Sequence, residues 1–357
     1  MEGTGRFVPD GCCRCKVLVV GSGPAGASAS FHLSRLGQDD VIVLERLSEG
    51  RHRRYHSICG EAVSDRMMRR AGISTSHVLC RISRIEISFG DSPPARVRVK
   101  GSVVDRSAML EELLSSSSAR RVRGAALSVR RRPEGGFEVD TTAGMILCDS
   151  LIGADGAYSV VRRDVFGSSP ESKDVIVNTV VPGGPGDVLR FCVGNGVPGG
   201  YRWDFPSRAG MRSVGFPRGC GAVPEDVEHG GRCIPTGRVP EASVEGCVLT
   251  GDAAALANPL CYGGIGAALL SGRKAAEAVV SGRYREYGEW IERDRAFDRR
   301  FMEAHREFAE WTDDDIAEAA RPLSGNANIF KGFLAMLRHP RYSRVYLACW
   351  LGFRVGW

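Results

Sequence analysis

The chain has 357 residues, 43% hydrophobic and 25% charged, with 45 glycines and a formal net charge of +6, a balance that fits a globular protein of two or three lobes and excludes collagen, coiled coil and wholesale disorder. No apolar run approaches the ~18 residues of a membrane-spanning helix, and the polar opening Met1 to Asp10 lacks a signal-peptide core, so a cytoplasmic location is expected. The arginines are scattered rather than gathered with aromatics on one stripe, which argues against nucleic acid as a partner.

In chain order, Cys12 and Cys15 form a C-x-x-C with no second pair at zinc spacing, so these thiols read as reduced and no metal is expected. Lys16-Val-Leu-Val-Val20 then reads as a buried parallel strand. Gly21-Ser-Gly23-Pro24-Ala25-Gly26 follows, leading into a helix that stops at Gly37, and a second strand, Val41 to Leu44, closes on Glu45 and Arg46. In this setting Gly21 makes the turn, Gly23 lets backbone approach a pyrophosphate and Gly26 lets helix and strand pack closely. Glu45 is placed to accept from an adenosine ribose and disfavours a 2′-phosphate, so the ligand is FAD or NAD rather than NADP.

Ser57-Ile58-Cys59-Gly60-Glu61 comes soon after, then alternating stretches at Arg81 to Phe89 and Ala95 to Val99 that predict half-buried strands. Arg106 precedes a helix over Ala108 to Leu114, which runs out near Ser115 to Ser118. Leu151-Ile-Gly153-Ala-Asp155-Gly156 is a strand entering an acidic turn, with a helix expected beyond it through Arg162. Val175 to Val181, Val188 to Val193 and Met211 to Phe216 predict a second set of strands, while the glycines of Gly194 to Gly199 read as a turn. In Tyr201-Arg-Trp203-Asp-Phe205-Pro206 alternate residues share a face, giving an aromatic wall suited to an apolar substrate.

Farther on, Gly251-Asp252-Ala-Ala-Ala255 leads through Pro259 and Cys261-Tyr262-Gly263-Gly264-Ile265 into a helix over Ala267 to Val280. Asp252 is placed for a ribityl hydroxyl, and the glycine-opened helix offers N–H groups to a flavin pyrimidine oxygen. An NAD dehydrogenase has no use for such elements so far downstream, whereas FAD does. From about Ala276 the chain turns helical and charged, and Phe330 to Leu337 and Val345 to Phe353 carry apolar faces flanked by Lys331, Arg338, Arg341, Arg344 and Arg354. These read as helices capping a pocket or, alternatively, as a basic amphipathic surface resting on anionic lipid.

The three glycine-rich stretches resemble the FAD-dependent oxidoreductases of the glutathione-reductase-like group, in the branch with p-hydroxybenzoate hydroxylase. The Cys59-Gly60 and Tyr201-to-Pro206 segments resemble the geranylgeranyl reductase family, particularly its archaeal digeranylgeranylglycerophospholipid reductases. The resemblance implies an α/β fold: a Rossmann-like FAD-binding domain over 1–65, 102–170 and 245–285, a substrate-binding β-sheet domain, mixed or antiparallel, inserted at 66–101 and 171–244, and a helical region over 286–357. It places Gly21, Gly23, Pro24, Ala25, Gly26, Glu45, Arg46, Cys59, Gly60, Arg106, Asp155, Gly156, Gly251, Asp252, Pro259, Gly263, Gly264 and Ile265 at FAD, with Cys59 a candidate proton source. Tyr201, Trp203, Phe205 and Pro206 would line a lipid tunnel.

The implied reaction is saturation of isoprenoid C=C bonds with reduced FAD. Electrons would come from NAD(P)H or a ferredoxin-like protein, because no second nicotinamide fingerprint is present. Departures are Ala255, where relatives carry Gly, Tyr262 in a stretch usually of three glycines, and Ser57-Ile58 before Cys59. Alternatives are an aromatic monooxygenase, a halogenase, whose tunnel lysine has no counterpart among Lys16, Lys100, Lys173, Lys274 and Lys331, and a non-catalytic FAD-binding protein.

Overall fold

The computed structural model describes residues 12–89, 92–194, 196–222 and 229–357; Met1 to Asp10, and Asn195 within the Gly194 to Gly199 turn, lie outside them. The first half of the chain runs β1 (Cys12–Val20), α1 (Pro24–Arg35), β2 (Val41–Glu45), α2 (Glu49–Ser57), β3 (Ala62–Ser64), α3 (Asp65–Ala71), β4 (Val78–Phe89), β5 (Ser92–Val104), α4 (Arg106–Ser115), β6 (Arg120–Arg123), β7 (Ala126–Arg131), β8 (Phe137–Thr141) and β9 (Gly144–Gly153). It continues through β10 (Ser172–Pro182), β11 (Val188–Val193), β12 (Tyr201–Pro206), β13 (Met211–Pro217), β14 (His229–Thr236), β15 (Ser243–Val244), β16 (Cys247–Leu249), α5 (Ile265–Ser281) and α6 (Tyr284–Arg293). Last come α7 (Arg300–Ala309), α8 (Asp313–Ala320), β17 (Gly325–Asn326), α9 (Ile329–Arg338) and α10 (Ser343–Val355).

One sheet has the order β15-β16-β9-β1-β2-β6, with a β7–β8 hairpin on β9. Its central pairs are parallel, registered Leu18 to Ile42 on one side and Leu18 to Leu151 on the other. Helices cover such strands, so they need unbroken apolar runs, and Val17 to Val20 and Val41 to Leu44 are buried throughout. α1 crosses α5 at small residues: a β-carbon on Gly272 would lie 2.2 Å from the Ala25 carbonyl oxygen. Ser28 Oγ donates to the Leu269 carbonyl across the same contact at 2.6 Å.

The second sheet has the order β14-β10-β13-β12-β11-β4-β5-β17, with β3 on β5. The two sets of strands expected from alternation are one sheet, joined by parallel pairing of β11 with β4 from Val188–Arg84 to Val193–Phe89. Partners about a hundred residues apart leave no turn signal between them. In β12 Tyr201, Trp203 and Phe205 are buried while Arg202 is exposed, so the aromatic wall forms on one face as alternation predicts.

The helix expected after Gly156 is a single wide turn, Arg162–Phe166, ending at Gly167 with φ +56. Among the last helices, α6 buries Tyr284, Tyr287 and Ile291, and α10 buries Val345, Ala348 and Leu351. Among the described residues no helix is long and apolar enough to cross a membrane.

Candidate functional site

A cavity of about 550 Å³ runs from the glycine loop of the first sheet to the aromatic face of the second. At its dinucleotide end, a β-carbon on Gly21 would lie 2.4 Å from the Ala154 carbonyl oxygen, and one on Gly26 1.9 Å from the Gly21 carbonyl oxygen. Neither position accepts a side chain. Gly23, by contrast, meets only the edge of a histidine ring, His56, at 3.6 Å. The backbone there is bare to the cavity, as a pyrophosphate requires. No side chain caps α1 or α5, and Pro24, Ala25, Gly264 and Ile265 line the cavity. Two helix N-termini therefore direct partial positive charge at one space.

Glu45 already takes three protein donors: Ser22 N–H and Oγ–H on Oε2, at 3.0 and 2.7 Å, and Leu47 N–H on Oε1 at 2.8 Å. One lone pair on Oε1 is left for a ribose hydroxyl. Asp155 is more fully engaged, accepting from Ser159 Oγ, Val160 N–H and Val161 N–H, so its carboxylate caps the following turn. Asp252 carries no protein hydrogen bond on its carboxylate among the described residues; it faces the cavity and burial pushes it up to about 6. It is the acid best placed to take a ribityl hydroxyl. Gly26, Gly251, Pro206 and Pro259 stand behind the lining, where Gly26 serves the α1–β1 contact and Pro206 pairs with Arg212 at the end of β12.

Sequence reasoning missed several residues. Arg162, buried, donates to the Ala253 carbonyl at 2.9 Å and the Ala157 carbonyl at 2.7 Å, tying together the two downstream glycine-rich stretches. Glu61 is buried in the cavity wall with φ +53, accepts from Arg106 N–H at 3.1 Å, and is pushed up to about 8, chiefly by burial. It is thus held largely protonated at neutral pH. Arg106 is fixed in turn by donating from Nε to the His56 carbonyl at 3.0 Å. Only the spacing around Cys59 hinted at any of these, because apart from Ala157, five residues before Arg162, their partners lie 45 or more residues away.

At the other end, the Tyr201, Trp203 and Phe205 rings are joined by Phe191 of β11, whose centroid lies 4.9 Å from Tyr201 and 5.0 Å from Phe205. Gly215 makes room for the Trp203 indole, since a β-carbon there would lie 2.0 Å from the ring. Cys59 and Gly60 sit between the two ends: a β-carbon on Gly60 would lie 2.9 Å from the Phe205 ring, and Ser213 Oγ lies 3.1 Å from the Cys59 carbonyl. Tyr262 closes the chamber beside Tyr201, centroids 5.6 Å apart, from a backbone with φ +47. Ala255 has φ +54. Both departures from the glycine pattern thus occupy left-handed backbone.

These residues fit FAD: a bare glycine loop, two uncapped helices, an unpaired acid and an adjoining apolar chamber. Residues 14–80 match the family profile described as an FAD binding domain. Digeranylgeranylglycerophospholipid reductase 1 of Methanopyrus kandleri is 29% identical over 307 residues, 74% of this chain and 80% of the relative. Its reductase 2 is 30% identical over 310 residues, 74% and 76%. The fold matches the crystal structure of a geranylgeranyl bacteriochlorophyll reductase-like protein from Thermoplasma acidophilum with a TM-score of 0.75 at 20% identity, covering 95% of this chain and all of that one. Identity of that level, held across three quarters of each sequence, assigns the chain to the digeranylgeranylglycerophospholipid reductase branch of the geranylgeranyl reductase family.

Proposed function

We propose that this FAD-dependent enzyme saturates C=C bonds of an isoprenoid chain in membrane-lipid biosynthesis. The carrying observation is that one cavity holds both the glycine loop and the aromatic wall, so a cofactor held at the loop and an alkene held at the wall would share one space. Within this reading, residues 1–65, 102–170 and 245–285 bind the cofactor, and 66–101 with 171–244 bind the lipid. Reduced FAD, when bound, supplies the hydride for one alkene carbon. An isolated alkene accepts hydride poorly, so the protein must orient it, exclude water and deliver a proton to the other carbon. Phe191, Tyr201, Trp203 and Phe205 do the first two, and Cys59, between chamber and cofactor end, is the proposed proton source.

None of the five lysines lines the cavity, which disfavours the halogenase reading. The test is dithionite reduction of the holoenzyme with a geranylgeranyl lipid, followed by mass spectrometry. Gains in steps of two hydrogens are expected. Oxygen or halogen incorporation, or no change across isoprenoids, overturns the proposal. Cys59→Ser should keep FAD and lose most turnover; full turnover removes the thiol from the mechanism.

The peripheral part of the proposal concerns α9, which exposes Ile329, Phe330, Phe333 and Leu337 beside Lys331 and Arg338. An apolar face bordered by cations suits the surface of an anionic bilayer, the source of a lipid substrate.

A further inference from the structure

α2 carries His52 and His56 one turn apart, and their rings lie 4.4 Å from each other. His52 Nε2 is 3.0 Å from Ser22 Oγ, which joins it to the Glu45 network. His56 is buried and lines the cavity, with the edge of its ring over the bare backbone of the glycine loop. A β-carbon on Gly23 would lie 3.6 Å from its Cε1 and 4.0 Å from its Nε2. Its Nδ1 is buried with no hydrogen-bond partner. Nε2, the ring nitrogen nearer Gly23, makes no protein hydrogen bond among the described residues, so a ligand in the cavity is the partner open to it.

We propose that His56 is a ligand of the FAD diphosphate, its imidazole donating a hydrogen bond above Gly23 and taking up a proton from the buffer as the cofactor binds. The proposal rests on the FAD site described above and adds a residue to it.

The surroundings of the ring give the sign. Arg106 approaches from α4 and Arg232 from β14, the latter with its guanidinium 3.8 Å over the Tyr55 ring, while His52 and Tyr55 share the ring's own helix. Glu61 stands beyond Arg106, bonded to its backbone N–H. Burial first, then Arg106, His52 and Arg232, push His56 well below its ordinary value, so in the protein alone the ring is neutral at pH 7. A diphosphate brings two negative charges to the same place, offsets those cations and accepts from the ring, each of which favours the imidazolium. The folded, FAD-bound value is therefore higher than the FAD-free one. Between the two, binding takes up a proton, and FAD affinity falls as pH rises through that interval.

The experiment is calorimetric titration of the full-length apoprotein with FAD at pH 6 to 8, in two buffers of different ionisation enthalpy. Wild type should take up a measurable fraction of a proton. Glu61 and Asp252 titrate in the same cavity, so only the difference between wild type and His56→Gln is assigned to His56. His56→Gln, which can still donate, should bind within about threefold of wild type while losing that proton, and His56→Leu should bind about tenfold more weakly. Far-ultraviolet circular dichroism of each apoprotein checks folding. Equal proton uptake in wild type and His56→Gln, or unweakened binding by a folded His56→Leu, overturns the inference. Failure of wild type to bind FAD at all would instead sink the FAD site on which it rests.

Discussion

Ala255 shows how one methyl group can carry a cost. It follows the Gly251–Ala254 turn in left-handed conformation, φ +54, and its carbonyl accepts from Arg238 N–H at 3.1 Å, so the backbone cannot relax without losing that bond. A β-carbon in this region costs ~1–2 kcal/mol, while glycine returns ~0.5–1 kcal/mol of that through unfolded-state entropy. Ala255→Gly should therefore raise stability by up to ~1 kcal/mol in denaturant titration, the opposite of the usual alanine-to-glycine effect. A loss exceeding ~1 kcal/mol would show that the strain is not there. The same logic makes Tyr262 costly, yet its ring lines the chamber, so strain there comes with shape.

Among the elements, β12 and β13 do more than carry aromatic rings. Trp203 Nε1–H donates to Ser213 Oγ at 3.3 Å, and that hydroxyl lies 2.7 Å from Asn178 Oδ1 and 3.1 Å from the Cys59 carbonyl. The second sheet thereby holds the Cys59–Gly60 loop between its aromatic face and the glycine loop. Ser213→Ala leaves a buried indole N–H unpaired, at ~1–3 kcal/mol. The expected result is a raised KM for the lipid with FAD affinity unchanged; an equal fall in FAD affinity would mean the bridge serves the cofactor cleft instead. The β1-α1-β2 unit and the β12 strand were legible in sequence because their signals are local: an apolar run, three glycines, a two-residue alternation. Phe191, Arg162, Glu61 and His56 were not, because each acquires its place through pairing or burial set by distant elements. That the two sets of strands share one sheet was expected, but their parallel β11–β4 junction has no local signal.

For the whole molecule, the exposed face of α9 stands apart from a cavity whose wall includes Val355, Gly356 and Trp357, just beyond or at the end of α10. Of the flanking cations, Arg341 and Arg344 are paired with Asp315 and Glu307, whereas Arg338 has no acidic partner among the described residues. Flotation with phosphatidylglycerol vesicles at low salt should carry the protein upward, with neutral vesicles doing so less and Phe330→Ser/Phe333→Ser abolishing it. Absence of flotation at low salt would remove the bilayer from the proposal.

The crossing of α1 and α5 at Ala25 and Gly272 joins stretches almost 250 residues apart. During synthesis the phosphate loop leaves the ribosome early, and β1, β2 and α4 reach its helix soon after, yet the flank that meets α5 has no cover until that distant helix is translated. A nascent chain must therefore wait, with the small-residue flank of its first helix uncovered, and nucleotide capture becomes one of the last acts of maturation.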